Sequence, residues 1–229
     1  KLRTLTLNGQ DGNDTINDWS QSLTEVDTLE LTDVTSTEVA LTFSNAVGAD
    51  LLVTIISTGE VIRIDERYQN ATLGYGIERI RFSDGVSWSL DEILTRARLT
   101  GDANVNALTG TAYRDNLLGL AGNDTLTGNA GDDVLTGGLG ADLLFGGFNQ
   151  STTANNPLPN GTDTYIWSRG DGNDTINDWS HSTIEVDTLV LTDVIASEVA
   201  LSRSNNSNDL RISIAGTPSV EAITVNSRF

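Results

Sequence analysis

Between residues 28 and 88, apolar residues alternate with polar ones or form short runs, which is typical of half-buried β-strands. The segments predicted to be strands on this basis are Thr28–Leu31, Val39–Ser44, Asp50–Ile56, Val61–Asp65, Ile77–Phe82 and Val86–Trp88. The last two flank Asp84 and Gly85, a dipeptide that strongly favours a hairpin turn. Ser89 and Glu92 have the spacing of a capping box, which predicts a short helix from about Leu90 to Arg98.

A second pattern, with a period of nine residues, occupies the middle of the chain. Three consecutive copies read GLAGNDTLT, GNAGDDVLT and GGLGADLLF, at Gly119–Thr127, Gly128–Thr136 and Gly137–Phe145. They share the pattern G-x-x-G-x-D-x-(apolar)-x. Less regular copies in the same phase occupy Gly101–Thr109, Gly110–Leu118, Gly146–Ile166 with an insert at 149–160, and Arg169–Asn177.

The chain also contains a duplication with an offset of 160 residues. The segment DGNDTINDWS occurs at Asp11–Ser20 and again at Asp171–Ser180. A second pair of matching segments follows, at Glu25–Val34 and Glu185–Val194. The chain is therefore interpreted as one unit, a block of nonapeptides and the start of a second copy of the unit. This second copy lacks a counterpart of Ile77–Trp88, so either it is a shorter cap or further residues complete it. We expect the chain to be a fragment of something longer.

Charge and composition narrow the functional classes. The 229 residues include 32 acidic and 13 basic ones, and the formal net charge of −19 makes a compact state repel itself unless cations neutralise it. The chain has no basic stripe to neutralise phosphates, which argues against a nucleic-acid partner. It has no cysteine, which excludes disulfides and thiolate metal sites. No apolar run approaches the length of a membrane span.

The nonapeptide resembles the repeats-in-toxin (RTX) consensus G-G-x-G-x-D-x-U-x, a β-helix repeat that binds calcium. Gly76–Trp88, together with the predicted helix, resembles the haemolysin-type calcium-binding-related domain found beside RTX blocks. The resemblance implies an all-β fold, a right-handed parallel β-roll flanked by β-rich capping domains with a short helix near 90–98. The predicted domains are a first cap at 1–100 that begins with the end of an upstream RTX turn, the roll at 101–177, and a second, truncated cap at 178–229.

In such a roll each nonapeptide forms a turn and then a short strand, and copies n and n+2 stack with their turns side by side. Glycine at positions one, two and four lets the backbone turn carbonyl oxygens toward the gap. Aspartate at position six adds a carboxylate, so two stacked turns supply the six to eight oxygens that calcium prefers. The residues expected to bind calcium in this way are Asn106, Asp115, Asp124, Asp133, Asp142, Asp163, Asp174, Gly119, Gly122, Gly128, Gly131, Gly137, Gly140 and Gly172. The position-eight residues expected to fill the interior are Leu108, Leu117, Leu126, Leu135, Leu144, Tyr165 and Ile176.

The stacking rule assigns the position-six residues to two edges. One edge carries Asn106, Asp124, Asp142 and Asp174, and the other carries Asp115, Asp133 and Asp163. Neighbours that share an ion would hold about three to five calcium ions. We expect the weakest site at Asn106, whose amide is uncharged, and a distorted turn before Asp115, where Tyr113 replaces glycine. The alternative is a metal-free solenoid with polar turns, in which the facing carboxylates would repel each other.

Some residues outside the regular repeats also invite a functional interpretation. The aspartates that recur in both copies of the duplication are Asp18, Asp27, Asp178 and Asp187. They are predicted to make turn and cap hydrogen bonds, and the alternative is that they close a terminal calcium site. Asn13 and Asp14 are predicted to be the broken end of an upstream roll. Trp19 and Trp179 are predicted to pack in a core or cap rather than to form a sugar platform.

The sequence favours a structural role over a catalytic one. The single histidine, His181, is predicted to be a surface residue, whereas a zincin helix needs two histidines, and the chain has no nucleophile elbow. We therefore expect no enzyme activity, and a calcium-binding module of a large secreted bacterial protein that leaves through type I secretion machinery and folds outside the cell. The alternatives are an adhesin or toxin module that binds a host-surface receptor or glycan through the insert or cap surfaces, and an accessory module of a polysaccharide-modifying enzyme.

Overall fold

A computed structural model of the chain describes residues 4–17, 26–44, 50–65, 77–111, 113–148, 161–179, 186–203, 209–216 and 221–226. The chain forms two compact units, Lys1–Leu99 and Thr100–Phe229. No helix among these described residues is long and apolar enough to cross a membrane.

The first unit consists of short strands, one 3₁₀ turn at Ser36–Glu38 and one short helix. Its elements are β1 (Thr4–Leu7), β2 (Asp14–Asn17), β3 (Thr28–Leu31), β4 (Val39–Phe43), β5 (Leu51–Ile55), β6 (Val61–Asp65), β7 (Arg79–Arg81), β8 (Ser87–Ser89) and α1 (Leu90–Arg96). The strands form two 4-stranded sheets with the orders β1-β3-β7-β8 and β2-β6-β5-β4. Strand β5 buries alternate residues, as the two-residue period of a strand facing a core requires.

The hairpin and helix at the end of the first unit follow the predicted capping signals. The side chains of Ser89 and Glu92 form the predicted capping box, in which the Ser89 backbone N–H donates to Glu92 Oε2 at 2.8 Å. The helix buries Ile93 and Leu94, and it ends at Arg96 rather than at residue 98 because Ala97 adopts an extended conformation. The predicted strand at 77–82 is likewise shorter, since only Arg79–Arg81 pair as β7.

The second unit contains the nonapeptide block and the second copy of the duplication. Its strands are β10 (Ala107–Thr109), β11 (Asn116–Ala121), β12 (Thr125–Asn129), β13 (Val134–Leu139), β14 (Leu143–Phe148), β15 (Thr164–Trp167), β16 (Thr175–Trp179), β17 (Thr188–Leu191), β18 (Val199–Arg203), β19 (Leu210–Ile214) and β20 (Glu221–Asn226), with β9 (Leu99–Thr100) at its beginning.

Successive nonapeptide strands alternate between two parallel sheets, which makes the fold a β-roll. One sheet begins β10-β12-β14-β16, and the other runs β11-β13-β15. Position eight pairs with position eight, as in Leu126 with Leu144 and Leu117 with Leu135. The predicted stacking of copies n and n+2 is therefore confirmed. All seven predicted interior residues are buried, with at most 3% of their surface exposed.

Both sheets continue from the nonapeptides into the second cap. Strand β17 adds to β15 in parallel, with Leu189 opposite Tyr165, and β20 adds to β16, with Val225 opposite Ile176. Strands β19 and β18 then follow β20 in antiparallel orientation. The first unit has the same arrangement. Strand β3 pairs in parallel with β1 and β6 pairs in parallel with β2, and β5 and β4 then follow β6 in antiparallel orientation. Both sheets of the second unit therefore continue from the nonapeptides into residues beyond 178, where the second cap was predicted to begin.

Candidate calcium sites

The position-six residues of one edge form a ladder of backbone-to-carboxylate hydrogen bonds. The backbone N–H of Asn106 donates to Asp124 Oδ1 at 2.8 Å, that of Asp124 to Asp142 Oδ1 at 2.7 Å, and that of Asp142 to Asp174 Oδ1 at 2.9 Å. Each bond joins turns n and n+2, because the parallel register places these turns beside each other. The structure thus brings together the four residues that the sequence assigned to this edge.

The second edge forms the same ladder and extends it by one rung. Asp115 and Asp133 donate their backbone N–H groups to Oδ1 of Asp133 and Asp163, at 2.8 and 2.9 Å. Asp163 then donates to Asp187 Oδ1 at 2.9 Å. The sequence interpretation favoured turn and cap hydrogen bonds for Asp187, and the structure shows that its bond lies within the ladder itself.

Three carboxylates of the ladders each keep one buried oxygen without a protein partner. These are the Oδ2 atoms of Asp124, Asp133 and Asp142, whose side chains are at most 2% exposed. A buried acceptor without a partner costs free energy, and an ionised one costs more. Cations between the stacked turns, on the Asp124–Asp142 edge and on the Asp133 edge, would satisfy these oxygens.

The glycines at position one leave room for these oxygens. A Cβ added at Gly119 would overlap Asp124 Oδ2 and the carbonyl oxygen of Gly137, and one added at Gly128 would overlap Asp133 Oδ2. A carboxylate oxygen and a carbonyl oxygen of the next stacked turn therefore converge on the same space. A donor set made only of carboxylate and carbonyl oxygens suits a hard cation such as calcium.

The glycines at position four are required for a different reason. Gly122, Gly131, Gly140 and Gly172 have φ values of 120°, 115°, 147° and 102°, which residues with a Cβ rarely adopt. Gly140 also lies so close to the carbonyl of the stacked Gly122 that a Cβ would overlap it. The position-four glycines thus permit both the turn conformation and the close stacking of turns.

The first residue of each ladder is less available to a metal. The side-chain Oδ1 of Asn106 accepts from the Asp102 backbone N–H at 2.7 Å. Asp115 Oδ2 accepts from the backbone N–H and the hydroxyl of Thr111, at 2.6 and 2.9 Å. Each of these residues thus has a hydrogen-bonded side-chain oxygen, whereas Asp124, Asp133 and Asp142 each keep one oxygen without a protein partner. The sequence predicted a distorted turn before Asp115, but not that Thr111 would bind its Oδ2.

A cluster of three carboxylates lies where the second ladder enters the cap. Ligand atoms of Asp163, Asp178 and Asp187 lie within 4.8 Å of one another, and the Tyr165 hydroxyl donates to Asp178 Oδ2 at 2.9 Å. Asp178 and Asp187 are two of the four recurring aspartates identified in the sequence. In the first unit, the Asp27 backbone N–H donates to Glu78 Oε2 at 2.6 Å.

Burial raises the pKa of most ladder carboxylates. It raises the pKa of Asp133 to about 9, with the charge of Asp115 as the next cause. Burial also raises the pKa of Asp163 and Asp174 to about 7, and that of Asp115 and Asp142 to about 6. Without a cation, ionising these groups inside the folded roll is therefore unfavourable.

We predict that acid stabilises the calcium-free roll. Because the pKa values are raised on folding, the folded state holds protons that the unfolded state has already released. The resulting contribution to the free energy of unfolding is complete below pH 3.8 and is lost as the pH rises through 6 to 9. The β signal in circular dichroism of metal-free protein should increase as the pH falls from 9 toward 4. A signal that is constant over this range would contradict the burial of ionisable carboxylates in the calcium-free fold.

Several residues singled out in the sequence lie outside the described part of the chain. They are Asp18, Trp19, His181 and the insert 149–160. Asn13 is described, and its side-chain Oδ1 accepts from the Val61 backbone N–H at 2.8 Å. Gly12 has open space around its Cα, whereas the equivalent Gly172 packs against the carbonyl of Gly140.

Two family profiles match the chain. The RTX calcium-binding nonapeptide repeat matches residues 6–19 and 100–148, in 4 copies. The haemolysin-type calcium binding protein related domain matches residues 50–92. A search of curated proteins found no match.

Solved structures also resemble the chain. The extracellular lipase LipA from Serratia marcescens is 18% identical, with a TM-score of 0.42 over 100% of this chain and 35% of the lipase chain. The AlgE6R3 and AlgE6R2 subunits of the Azotobacter vinelandii mannuronan C5-epimerase are 25% and 22% identical, with TM-scores of 0.38 and 0.39. These comparisons cover 55% and 57% of this chain, and 72% and 84% of the two subunits. The chain thus spans about a third of the length of the lipase.

The family matches cover both kinds of segment that the fold displays. The repeat profile includes Gly119, Gly128 and Gly137, the position-one glycines of the three regular copies. The related-domain profile includes the hairpin of β7 and β8. The chain therefore contains RTX calcium-binding nonapeptide repeats and a haemolysin-type calcium binding protein related domain.

Proposed function

We propose that this chain is a non-catalytic module of a secreted polypeptide, and that calcium binding between its stacked turns drives folding of the roll. The observation that carries the proposal is the set of buried, unpartnered Oδ2 oxygens of Asp124, Asp133 and Asp142. Such oxygens destabilise a metal-free fold and become ligands when calcium is bound. Calcium affinity and folding free energy are then parts of one equilibrium.

The charge of the chain supports a folding switch. With a formal net charge of −19, the metal-free chain repels itself. The ladders also bring carboxylates close together, and because these carboxylates are buried, water does not screen their repulsion. Bound calcium supplies positive charge between these carboxylates. The calcium-free chain is therefore expected to be extended and the calcium-bound chain compact.

This switch suits export from the cell. Calcium is scarce in the cytosol and abundant outside, so an extended chain would pass through type I secretion machinery and fold after release. RTX calcium-binding repeats are typical of extracellular secreted proteins. A receptor- or glycan-binding role through the insert or the cap surfaces stays a prediction from the sequence, and the insert lies outside the described residues.

The ladders also suggest how the ions are distributed. The unpartnered oxygens support a proposal that the strongest sites lie at Asp124, Asp133 and Asp142. The hydrogen-bonded oxygens of Asn106 and Asp115 support weaker sites at the start of each ladder. Three strong sites lie at the lower limit of the three to five ions expected from the coordination rule. The Asp163, Asp178 and Asp187 cluster is the candidate for one further ion.

The test is to measure the radius of gyration of the chain with and without calcium. For 229 residues, the radius of gyration should fall from about 50 Å for an unfolded chain to about 17 Å for a compact one. Size-exclusion chromatography with small-angle scattering measures the change, and a matched ionic strength of sodium chloride controls for simple screening. Equal compaction by sodium chloride, or a compact chain in chelator, would contradict calcium-driven folding.

A further inference from the structure

The two copies of the duplication differ in what covers them. In the first unit, β3 pairs in parallel with β7, so that Leu29 lies opposite Ile80. Strand β4 is covered by α1 and the residues that follow it, since the Phe43 backbone N–H donates to the Arg98 carbonyl at 3.0 Å. Residues 77–98 thus close both β3 and β4.

This cover removes the apolar side chains of β3 and β4 from water. Leu29 and Leu31 are fully buried, and Leu41 is only 6% exposed. On the covering side, Ile80 and Ile93 are also fully buried. The first unit therefore shows a complete version of the cap, in which a hairpin and a short helix close the end of the core.

The equivalent strands of the second unit lie open. Strands β17 and β18 are the outermost strands of their sheets among the residues that the structure describes. Leu201, the counterpart of Leu41, is 65% exposed, and Leu189 and Leu191 are only partly buried. An open sheet edge beside exposed apolar side chains favours the addition of another strand.

The local backbone of the second copy already has the conformation that the cover requires. In the first unit, the 3₁₀ turn at Ser36–Glu38 meets the hairpin, where the Ser36 backbone N–H donates to Asp84 Oδ2 at 2.9 Å and Ser83 donates to the Val34 carbonyl at 3.0 Å. The second copy forms the same turn at Ala196–Glu198. The 3₁₀ turn that meets the hairpin in the first unit is thus present in both units.

We propose that the face formed by β17 and β18, here called the open cap face, is a docking surface for a hairpin–helix segment of the kind that residues 77–98 form. The segment would add a strand to β17 and place a short amphipathic helix over Leu201. Arg203 stands where the first copy has Phe43, and the contact seen there in the first unit is a backbone hydrogen bond to the Arg98 carbonyl, which either side chain permits. This inference does not depend on the calcium-folding proposal.

The experiment appends a second copy of the sequence of residues 69–98 after Phe229 and compares calcium-saturated proteins with and without it. The expected result is hydrogen-exchange protection of the β17 and β18 amides, a higher melting temperature and a loss of binding of the dye ANS. The control carries the same extension with Ile80→Asp and Ile93→Asp in the appended copy, and it should behave like the unextended chain. Unchanged exchange at β17 and β18 in the extended chain would overturn the proposal.

A receiving-side variant, Leu201→Asp, makes the test specific. In the unextended chain this exposed side chain should be replaceable without a change in melting temperature, whereas in the extended chain the substitution should abolish the protection of β17 and β18. Calcium-dependent dimerisation of the unextended chain that Leu201→Asp prevents would identify a second copy as the occupant and overturn the hairpin–helix assignment. A calcium titration of each variant separates a failure of docking from a failure of calcium-driven folding.

Discussion

Adding calcium to the metal-free chain at neutral pH should convert its far-UV circular dichroism spectrum from coil to β in one cooperative step, at submillimolar to millimolar calcium. Cooperativity is expected because each rung joins turns n and n+2, as Asp124 joins Asp142, so each bound ion orders the turn on which the next site depends. The spectrum should return to coil when a chelator removes the metal.

Magnesium provides the control for this titration. It demands a near-octahedral site and keeps several of its waters, whereas the ladders offer carboxylate and carbonyl oxygens between tightly stacked turns. We therefore expect magnesium at the same concentration to leave most of the spectrum unchanged. A spectrum that is rich in β structure in chelator and insensitive to calcium would refute calcium-driven folding.

Tryptophan fluorescence can assign the transition to the roll. Trp167 is 2% exposed in the second unit, and Trp88 is 4% exposed in the first. A chain that keeps Trp167 but replaces the other tryptophans with phenylalanine should show a blue shift over the same calcium range as the circular dichroism. A matched variant that keeps only Trp88 is the comparison. A calcium-dependent shift in that variant, without one for Trp167, would place the calcium-dependent structure in the first unit and not in the roll.

The second large effect is expected from Asp133→Asn, which should destabilise the folded roll when calcium is present and stabilise it when calcium is absent. With calcium, the substitution removes a charged ligand, so the calcium midpoint should rise by about tenfold or more and one ion should be lost from the stoichiometry. Without calcium, it removes a buried carboxylate whose pKa burial raises to about 9, so at alkaline pH the metal-free roll should become more stable. Isothermal calorimetry and thermal melts in both conditions measure the two effects.

The matched control is Asp132→Asn in the same turn. Asp132 is exposed, and it accepts from the Thr162 backbone N–H and lies 3.6 Å from Arg114 in a surface ion pair. Such pairs contribute little to stability, so this variant should change the calcium midpoint far less than Asp133→Asn, although it removes the same charge. Equal effects of the two variants would show that overall charge, and not the ladder, governs calcium binding.

The regular part of the site could be predicted because its geometry repeats. A period of nine fixes which residues point inward, and stacking of copies n and n+2 follows once two nonapeptides form one coil. The registers of Leu117 with Leu135 and Leu126 with Leu144 confirm this. The glycines at positions one and four could be interpreted for the same reason, because each makes the same contact in every regular copy.

The irregular ends could not be predicted in the same way. Asp115 and Asp133 hold the same position of the repeat, yet Thr111 occupies Asp115 Oδ2 while Asp133 Oδ2 remains unpartnered. The extension of the ladder to Asp187 depends on the pairing of β15 with β17, which lie beyond the regular period. These contacts depend on how a degenerate turn or a cap packs, and the repeat pattern carries no information about either.

The sequence by itself determined the roll, its inward residues and the two rows of carboxylates, because a short repeat imposes the same local contacts on every copy. Only the tertiary structure decided which carboxylate oxygens stay unpaired, where each ladder ends, and that Leu41 is covered while Leu201 is exposed. Nearly identical segments differ here because burial depends on residues distant in the chain, and residues 77–98 cover only one of the two copies.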